Sequence, residues 1–200
     1  MPRYESDVAL IVVDVQNDFA DPAGSLSVLG GAALIPRINR EIRRATSAGA
    51  VVVATQDWHP ESTPHFAKDG GIWPVHCVAG TWGADFHPDL ELTDAALRVR
   101  KGSGGEDGYS GFTVREPTTG KEAPTELDHL LRERAVRRVV VLGLATDYCV
   151  QATAIDGARL GYETTVLIDA CAAVNLKADD GSRALESMRD AGVTIRRTVV

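Results

Sequence analysis

The chain predicts an α/β fold: a three-layer α/β/α sandwich around a mainly parallel, Rossmann-like doubly wound sheet. Three observations carry this reading. Apolar runs of strand length alternate with stretches of helical periodicity from one end of the chain to the other. Several of the runs are apolar at every position, as strands buried on both faces require. Helical crossovers between successive runs make the strands parallel and put helices on both faces.

In order, the first strand covers Val8 to Asp14, six apolar residues and then a carboxylate. A loop rich in Asp, Pro, Gly and Ser continues to Gly31. Ala32 to Ala48 reads as a helix: Leu34, Ile35, Ile38 and Ile42 share one face, Arg37, Arg40, Arg43 and Arg44 stay polar, and Gly49 stops it. Residues 51–55 form the second strand. The stretch 56–95 reads as a long loop holding all 3 tryptophans and every histidine except His129; structureless stretches of that length are usually functional. Leu97 to Arg100 alternates apolar and basic residues, which predicts an edge strand with one wet face. Pro124 predicts the opening of a helix containing Leu127, Leu130 and Leu131. Residues 138–142 and 163–168 are buried strands. Helices are expected over Cys149–Leu160 and Asp179–Ala191, ended by Gly161 and Gly192, and a last strand over Val193–Arg196.

The length of 200 residues suits a single domain with a sizeable core. Hydrophobic residues are 44% and charged residues 24%, an ordinary soluble balance. The net charge of −7 and the lack of a basic stripe argue against nucleic acid as partner. No apolar run is long enough to span a bilayer, and the N-terminal residues lack the apolar segment of a signal peptide. The 3 cysteines, with no CxxC, argue for a reducing compartment, by default the cytoplasm. Homo-oligomer formation is left open.

Asp14, Lys101 and Cys149 each follow the C-terminal end of a predicted strand, the edge where open parallel sheets bind ligands. That edge gathers a carboxylate, an ammonium and a thiol, the parts of an activated cysteine nucleophile. Alone, each has an ordinary reading: a loop cap, a solvated strand-end lysine, a small buried hydrophobe. Together they shift the balance toward chemistry. Cys149 falls in the first turn of its helix, where free backbone N–H groups favour a thiolate and can hold an oxyanion. The glycines after Lys101 match neither a Walker loop nor GxGxxG.

Asp57 and His59 lie two residues apart at a strand end, so in extended chain their side chains point the same way. His65 and His76 follow. One carboxylate with two or three imidazoles suits one divalent metal ion, with Zn, Mn and Fe as candidates. Phe19, Trp73, Trp82 and Tyr109 lie in edge loops and can sandwich a flat ring or pack the loops down; packing is the expectation for Trp82. Cys77 and Cys171 read as packing residues.

In order along the chain stand Asp14-Val15-Gln16-Asn17-Asp18-Phe19, Thr55-Gln56-Asp57-Trp58-His59-Pro60, Trp73-Pro74-Val75-His76-Cys77, Lys101-Gly102 and Gly143-Leu144-Ala145-Thr146-Asp147-Tyr148-Cys149-Val150. By these motifs the chain resembles the isochorismatase-like cysteine hydrolases over nearly its whole length, and among them the nicotinamidase/pyrazinamidase branch. The resemblance implies one isochorismatase-like hydrolase domain over residues 1–200, hydrolysing nicotinamide, and pyrazinamide as a further small-molecule amide, to the acid and ammonia in NAD salvage. Cys149 would be the nucleophile, Asp14 the base and acid, and Lys101 the third member of the triad. Asp57, His59 and His76 match ligands of a metal, zinc first, that holds the pyridine nitrogen, and His65 matches a ligand found in some members only. Phe19, Trp73 and Tyr109 match ring-binding walls, and Tyr148 would line the pocket. Ala145 and Cys149 would supply oxyanion-hole N–H groups, with a cis peptide before Ala145. The competing readings are a relative acting on a carbamoyl or ureido substrate and a non-catalytic α/β binding domain.

Overall fold

The apolar runs assemble into one six-stranded sheet in the computed structural model, which describes residues 3–198. Met1 and Pro2, the head of the N-terminal segment read above, lie outside the described residues. The strands are β1 (Val8–Val13), β2 (Val51–Asp57), β3 (Leu97–Lys101), β6 (Arg138–Leu144), β7 (Glu163–Ala172) and β8 (Thr194–Arg196), in the order β3-β2-β1-β6-β7-β8. Every pairing in this sheet is parallel. Helices flank it: α2 (Gly31–Ser47) lies across β1, β2, β6 and β7, while α4 (Gln151–Arg159) and α5 (Asp180–Asp190) pack on each other and over β6 to β8. All residues of β1 are buried, as its unbroken apolar run requires. Ile35, Ile38 and Ile42 of α2 enter the same apolar cluster as Leu10, Ile11 and Leu142.

The strand order reverses between β1 and β6. From β1 the chain builds outward to β3, then returns to β6 and builds the other way. A crevice opens at the carboxyl ends of strands on either side of such a switch point. Asp14 follows β1 there, and the segment from Ala145 to Cys149 follows β6.

Several boundaries differ from those read in the sequence. β2 continues to Asp57, and β7 runs to Ala172, where Gly143 pairs with Cys171 after a register shift. The helix expected from Cys149 begins as a π-helical turn, Thr146–Val150, and is α-helical from Gln151. Pro124 opens no helix. It closes β5 (Glu122–Pro124), an exposed strand paired antiparallel with β4 (Thr113–Arg115). A two-stranded ribbon has free edges, where a residue lacking an N–H is tolerated. α3 (Leu127–Glu133) starts three residues later, behind Thr125, whose Oγ1 accepts the Leu127 N–H at 3.2 Å. The stretch 56–95 is ordered by two 3-10 turns, Ala67–Asp69 and Trp82–Ala84, and by bridges joining His59 to Val78 and Phe66 to Trp73. A short helix not expected from the sequence, α1 (Asn17–Ala20), carries Phe19. No helix among the described residues is long and apolar enough to cross a membrane.

Gly143 of β6 pairs with Val13 of β1 with no room for a side chain. Its φ is 118°, and a Cβ there would lie 2.2 Å from the Val13 carbonyl oxygen. Gly143→Ala combines a disfavoured backbone with an unyielding clash, so a loss of about 3 kcal/mol or more is expected, read as a lower urea midpoint.

Candidate active site

Three strand ends bring Asp14, Lys101 and Cys149 together. Asp14 leaves β1 with φ of 48°, a left-handed conformation that Asp tolerates better than most residues. Its backbone N–H donates to Thr55 Oγ1 at 3.2 Å, and the same hydroxyl donates to Asp14 Oδ1 at 2.7 Å. Lys101, the last residue of β3, is 2% exposed because the alternation of its strand turns it inward with Val99 while Arg98 and Arg100 face out. Its Nζ lies 3.0 Å from Asp14 Oδ2, donates to Asp57 Oδ1, and lies 3.7 Å from Cys149 Sγ. One oxygen each of Asp14 and Asp57 and the Cys149 sulfur lie within 4.8 Å of one another.

The charges explain the resting state. Burial pushes the Asp14 carboxyl up, against the pull of Lys101 and Thr55, while the Asp57 charge adds to the rise. At Asp57 burial also raises, yet the Lys101 ammonium and the neighbouring imidazoles hold the carboxyl well below the usual range. Burial would strip the Lys101 proton, and the two carboxylates keep it firmly in place. Cys149 departs from the sequence reading. Burial and the charges of Asp14 and Asp57 push its thiol up, with only Lys101 opposing. Two carboxylates already outnumber one ammonium, so a thiolate would add a second excess negative charge in a buried cleft. The sulfur therefore rests as a thiol beside a carboxylate inclined to take its proton.

The other oxygen of Asp57 faces the histidines. Oδ2 lies 3.7 Å from His59 Nε2 and 3.9 Å from His76 Nε2. One ring nitrogen from each of His59, His65 and His76 lies within 4.8 Å of the others. His76 Nδ1 bonds the Pro74 carbonyl at 2.7 Å, which turns Nε2 toward Asp57. Burial lowers His76, and burial with its neighbouring imidazoles pushes His65 down to about 4, so both are neutral, the form that binds metals. Both ring nitrogens of His59 are buried without a hydrogen-bond partner. Such orphaned groups are costly, and a cation among three imidazoles and a carboxylate would satisfy one of the two, Nε2 being the nitrogen on the Asp57 side. The residues therefore fit a metal ion. Gln16 braces the ligand from behind: its Nε2 donates to the Asp57 carbonyl at 2.7 Å and its Oε1 accepts the Asp57 N–H at 2.8 Å.

A single cavity joins the two groups. Phe19, Trp73, Tyr109, Tyr148, Ala145 and Cys149 line it with Asp57, His65 and His76. His59 stacks on His65, ring centroids 4.9 Å apart. Trp73 Nε1 donates to the Tyr109 hydroxyl at 3.0 Å, and the Tyr148 ring meets Trp73 and Tyr109 edge-on at 4.9 and 5.1 Å. Phe19 faces His76 at 5.4 Å. The Leu144–Ala145 peptide is cis, as the resemblance implies. Leu26, Val28, Leu144 and Val174 complete the walls and carry no sequence signal beyond being apolar.

The reading of the sequence also passed over three polar residues: Thr55 and Gln16, described above, and Asp18. The buried Asp18 carboxylate accepts the N–H of Cys77 at 2.7 Å and of Ser25 at 3.0 Å, tying the first loop to the turn after His76. Each belongs to a quoted motif, which was the available signal. Trp82 does not pack as expected. Its side chain is half exposed, and its carbonyl instead accepts from Asn17 Nδ2 at 2.7 Å. Cys77 and Cys171 are buried among core residues.

The family model described as Isochorismatase domain matches residues 8–199. A nicotinamidase/pyrazinamidase of Mycobacterium tuberculosis is 44% identical over 190 residues, 94% of this chain and 97% of its own length. The pyrazinamidase of Pyrococcus horikoshii, solved in complex with zinc, has a TM-score of 0.86 at 41% identity, covering 96% of this chain and 99% of that one. PnC1 from L. infantum, solved in complex with nicotinate, has a TM-score of 0.87 at 39% identity, covering 98% and 96%. The chain belongs to the isochorismatase family.

Proposed function

We propose that the protein is a nicotinamidase, working as one hydrolase domain that converts nicotinamide to nicotinate and ammonia. The observation that carries this is one cavity lined by the Cys149 thiol, aromatic rings, Asp57, His65 and His76, with the buried Asp14–Lys101 pair beside the sulfur and His59 beside the other two histidines. Phe19 and Trp73 hold the pyridine ring, with Tyr109 and Tyr148 closing the pocket, and the carboxamide carbon comes to Cys149. Asp57, His59, His76 and His65 would hold a divalent ion, zinc before manganese or iron. Bound there, it supplies a Lewis-acid anchor for the ring nitrogen and positive charge against the carboxylate excess.

Asp14 takes the thiol proton as sulfur attacks, and the Ala145 and Cys149 N–H groups stabilise the oxyanion. Asp14 returns the proton to the departing ammonia, leaving a thioester. It then deprotonates the water that releases nicotinate, and the sulfur regains its proton. Lys101 holds Asp14 in place and opposes the negative charge on sulfur. The product suits NAD salvage, and the three unpaired cysteines suit the cytoplasm.

A relative acting on an acyclic carbamoyl or ureido compound would use the triad but neither the aromatic walls nor the histidines. Ammonia release is expected from nicotinamide and pyrazinamide, and from acyclic compounds at least ~100-fold more slowly. Chelation should weaken nicotinamide binding, and added zinc should restore it. Faster turnover of an acyclic ureido compound, indifferent to the chelator, would overturn the assignment.

A further inference from the structure

Thr55 uses one hydroxyl twice. It sits in β2, fully buried, with the Asp14 N–H directed at its Oγ1 and its own proton directed at Asp14 Oδ1. A hydroxyl has one proton to give. With that proton committed, the bond engages Oδ1 and holds the carboxylate plane in one orientation. Asp14 Oδ2 is left buried without a hydrogen-bond partner, facing the Lys101 ammonium at 3.0 Å. Lys101 in turn directs protons to Asp57 and to the Cys149 sulfur.

Resting on the reading of Asp14 as the base, we propose that Thr55 is a positioning residue for proton transfer: its hydroxyl reserves Oδ1, so that Oδ2 alone exchanges the proton with Cys149. The S–H bond breaks as an O–H bond forms on Oδ2. That O–H bond then breaks as an N–H bond forms on the departing amine. Without the hydroxyl, the carboxylate is free to turn and both oxygens compete for the proton. The Thr55 methyl does a separate job. A Cβ on Gly111 would lie 2.9 Å from Thr55 Cγ2, so the methyl fills the space against that glycine. Hydroxyl and methyl can therefore be tested apart.

The test compares Thr55→Val, Thr55→Ser and Thr55→Ala in metal-loaded enzyme turning over nicotinamide. Thr55→Val and Thr55→Ala lose both bonds of the hydroxyl, and loss of the one to the charged carboxylate is expected to lower kcat about ten- to a hundredfold with KM within about twofold. Thr55→Ser is expected to keep kcat while losing thermal stability. A second readout needs no turnover. Iodoacetamide alkylation of Cys149, followed by mass spectrometry of its peptide, should slow in the Val and Ala variants and not in Ser. If Val or Ala keeps full kcat, or if Ser falls with Ala, the proposal is overturned. Should Val fail to fold, the Ser and Ala pair reads the same single oxygen. Asp14→Asn separates the two levels: an active Asp14→Asn removes the base and this proposal together, whereas an inactive Asp14→Asn beside a fully active Thr55→Val removes the positioning role alone.

Discussion

Cys149→Ala is expected to abolish ammonia release from nicotinamide while leaving the ring amide bound. The substitution removes one sulfur atom from a cavity walled by aromatic rings, imidazoles, aliphatic side chains and the Asp57 carboxylate. Those walls, with the ligand cluster, set affinity, so binding measured by calorimetry should persist. Turnover should fall by ~10⁴-fold or more, because no neighbouring group can replace the nucleophile. Since the resting sulfur is an uncharged thiol, its loss leaves the charges of Asp14, Lys101 and Asp57 unchanged, and thermal unfolding should move little. In the unsubstituted enzyme, nicotinamide should protect Cys149 from alkylation. Substantial amidase activity in Cys149→Ala would show that another residue attacks.

Lys101→Met should damage both fold and activity. The ammonium is 2% exposed and meets three groups: Asp14 Oδ2, Asp57 Oδ1 and the Cys149 sulfur. Removing it leaves two buried carboxylates without their common counter-charge. Breaking a buried ion pair from one side costs about 3–5 kcal/mol, more than the isosteric chain recovers. The denaturant midpoint of metal-free protein should drop accordingly, and kcat should fall with it because the sulfur loses the one neighbour that favours its negative charge. Adding Asp14→Asn to Lys101→Met should recover part of the stability, since one uncompensated charge goes, and none of the activity. A double-mutant cycle reads that recovery as coupling between the two residues. Equal stability and turnover in Lys101→Met would show that the pair is incidental.

The parts of this molecule legible from sequence are those that depend on one residue type repeated at one period. Apolar runs announced β1, β2 and β6 because strands buried on both faces tolerate little else. The β4–β5 ribbon escaped because its residues are largely exposed and carry no such pattern. Pro124 misled for the same reason, since a proline suits both a helix start and a free strand edge. At the site, the positions of Asp14, Lys101 and Cys149 at strand ends were legible. The direction in which Cys149 is pushed was not. It depends on how many carboxylates share one ammonium, which only the assembled strands reveal. Thr55 escaped because a threonine ending an apolar run is an ordinary strand residue until its partner across the sheet is known.

Asp57 hands one oxygen to the lysine and the other to the imidazoles. Its two halves thus belong to different neighbourhoods joined through a single rigid plane, and neither can rotate without carrying the other. Redesign of the histidine side alone, to change the ion or dispense with it, will therefore be felt at the sulfur. A successful redesign has to alter both neighbourhoods at once.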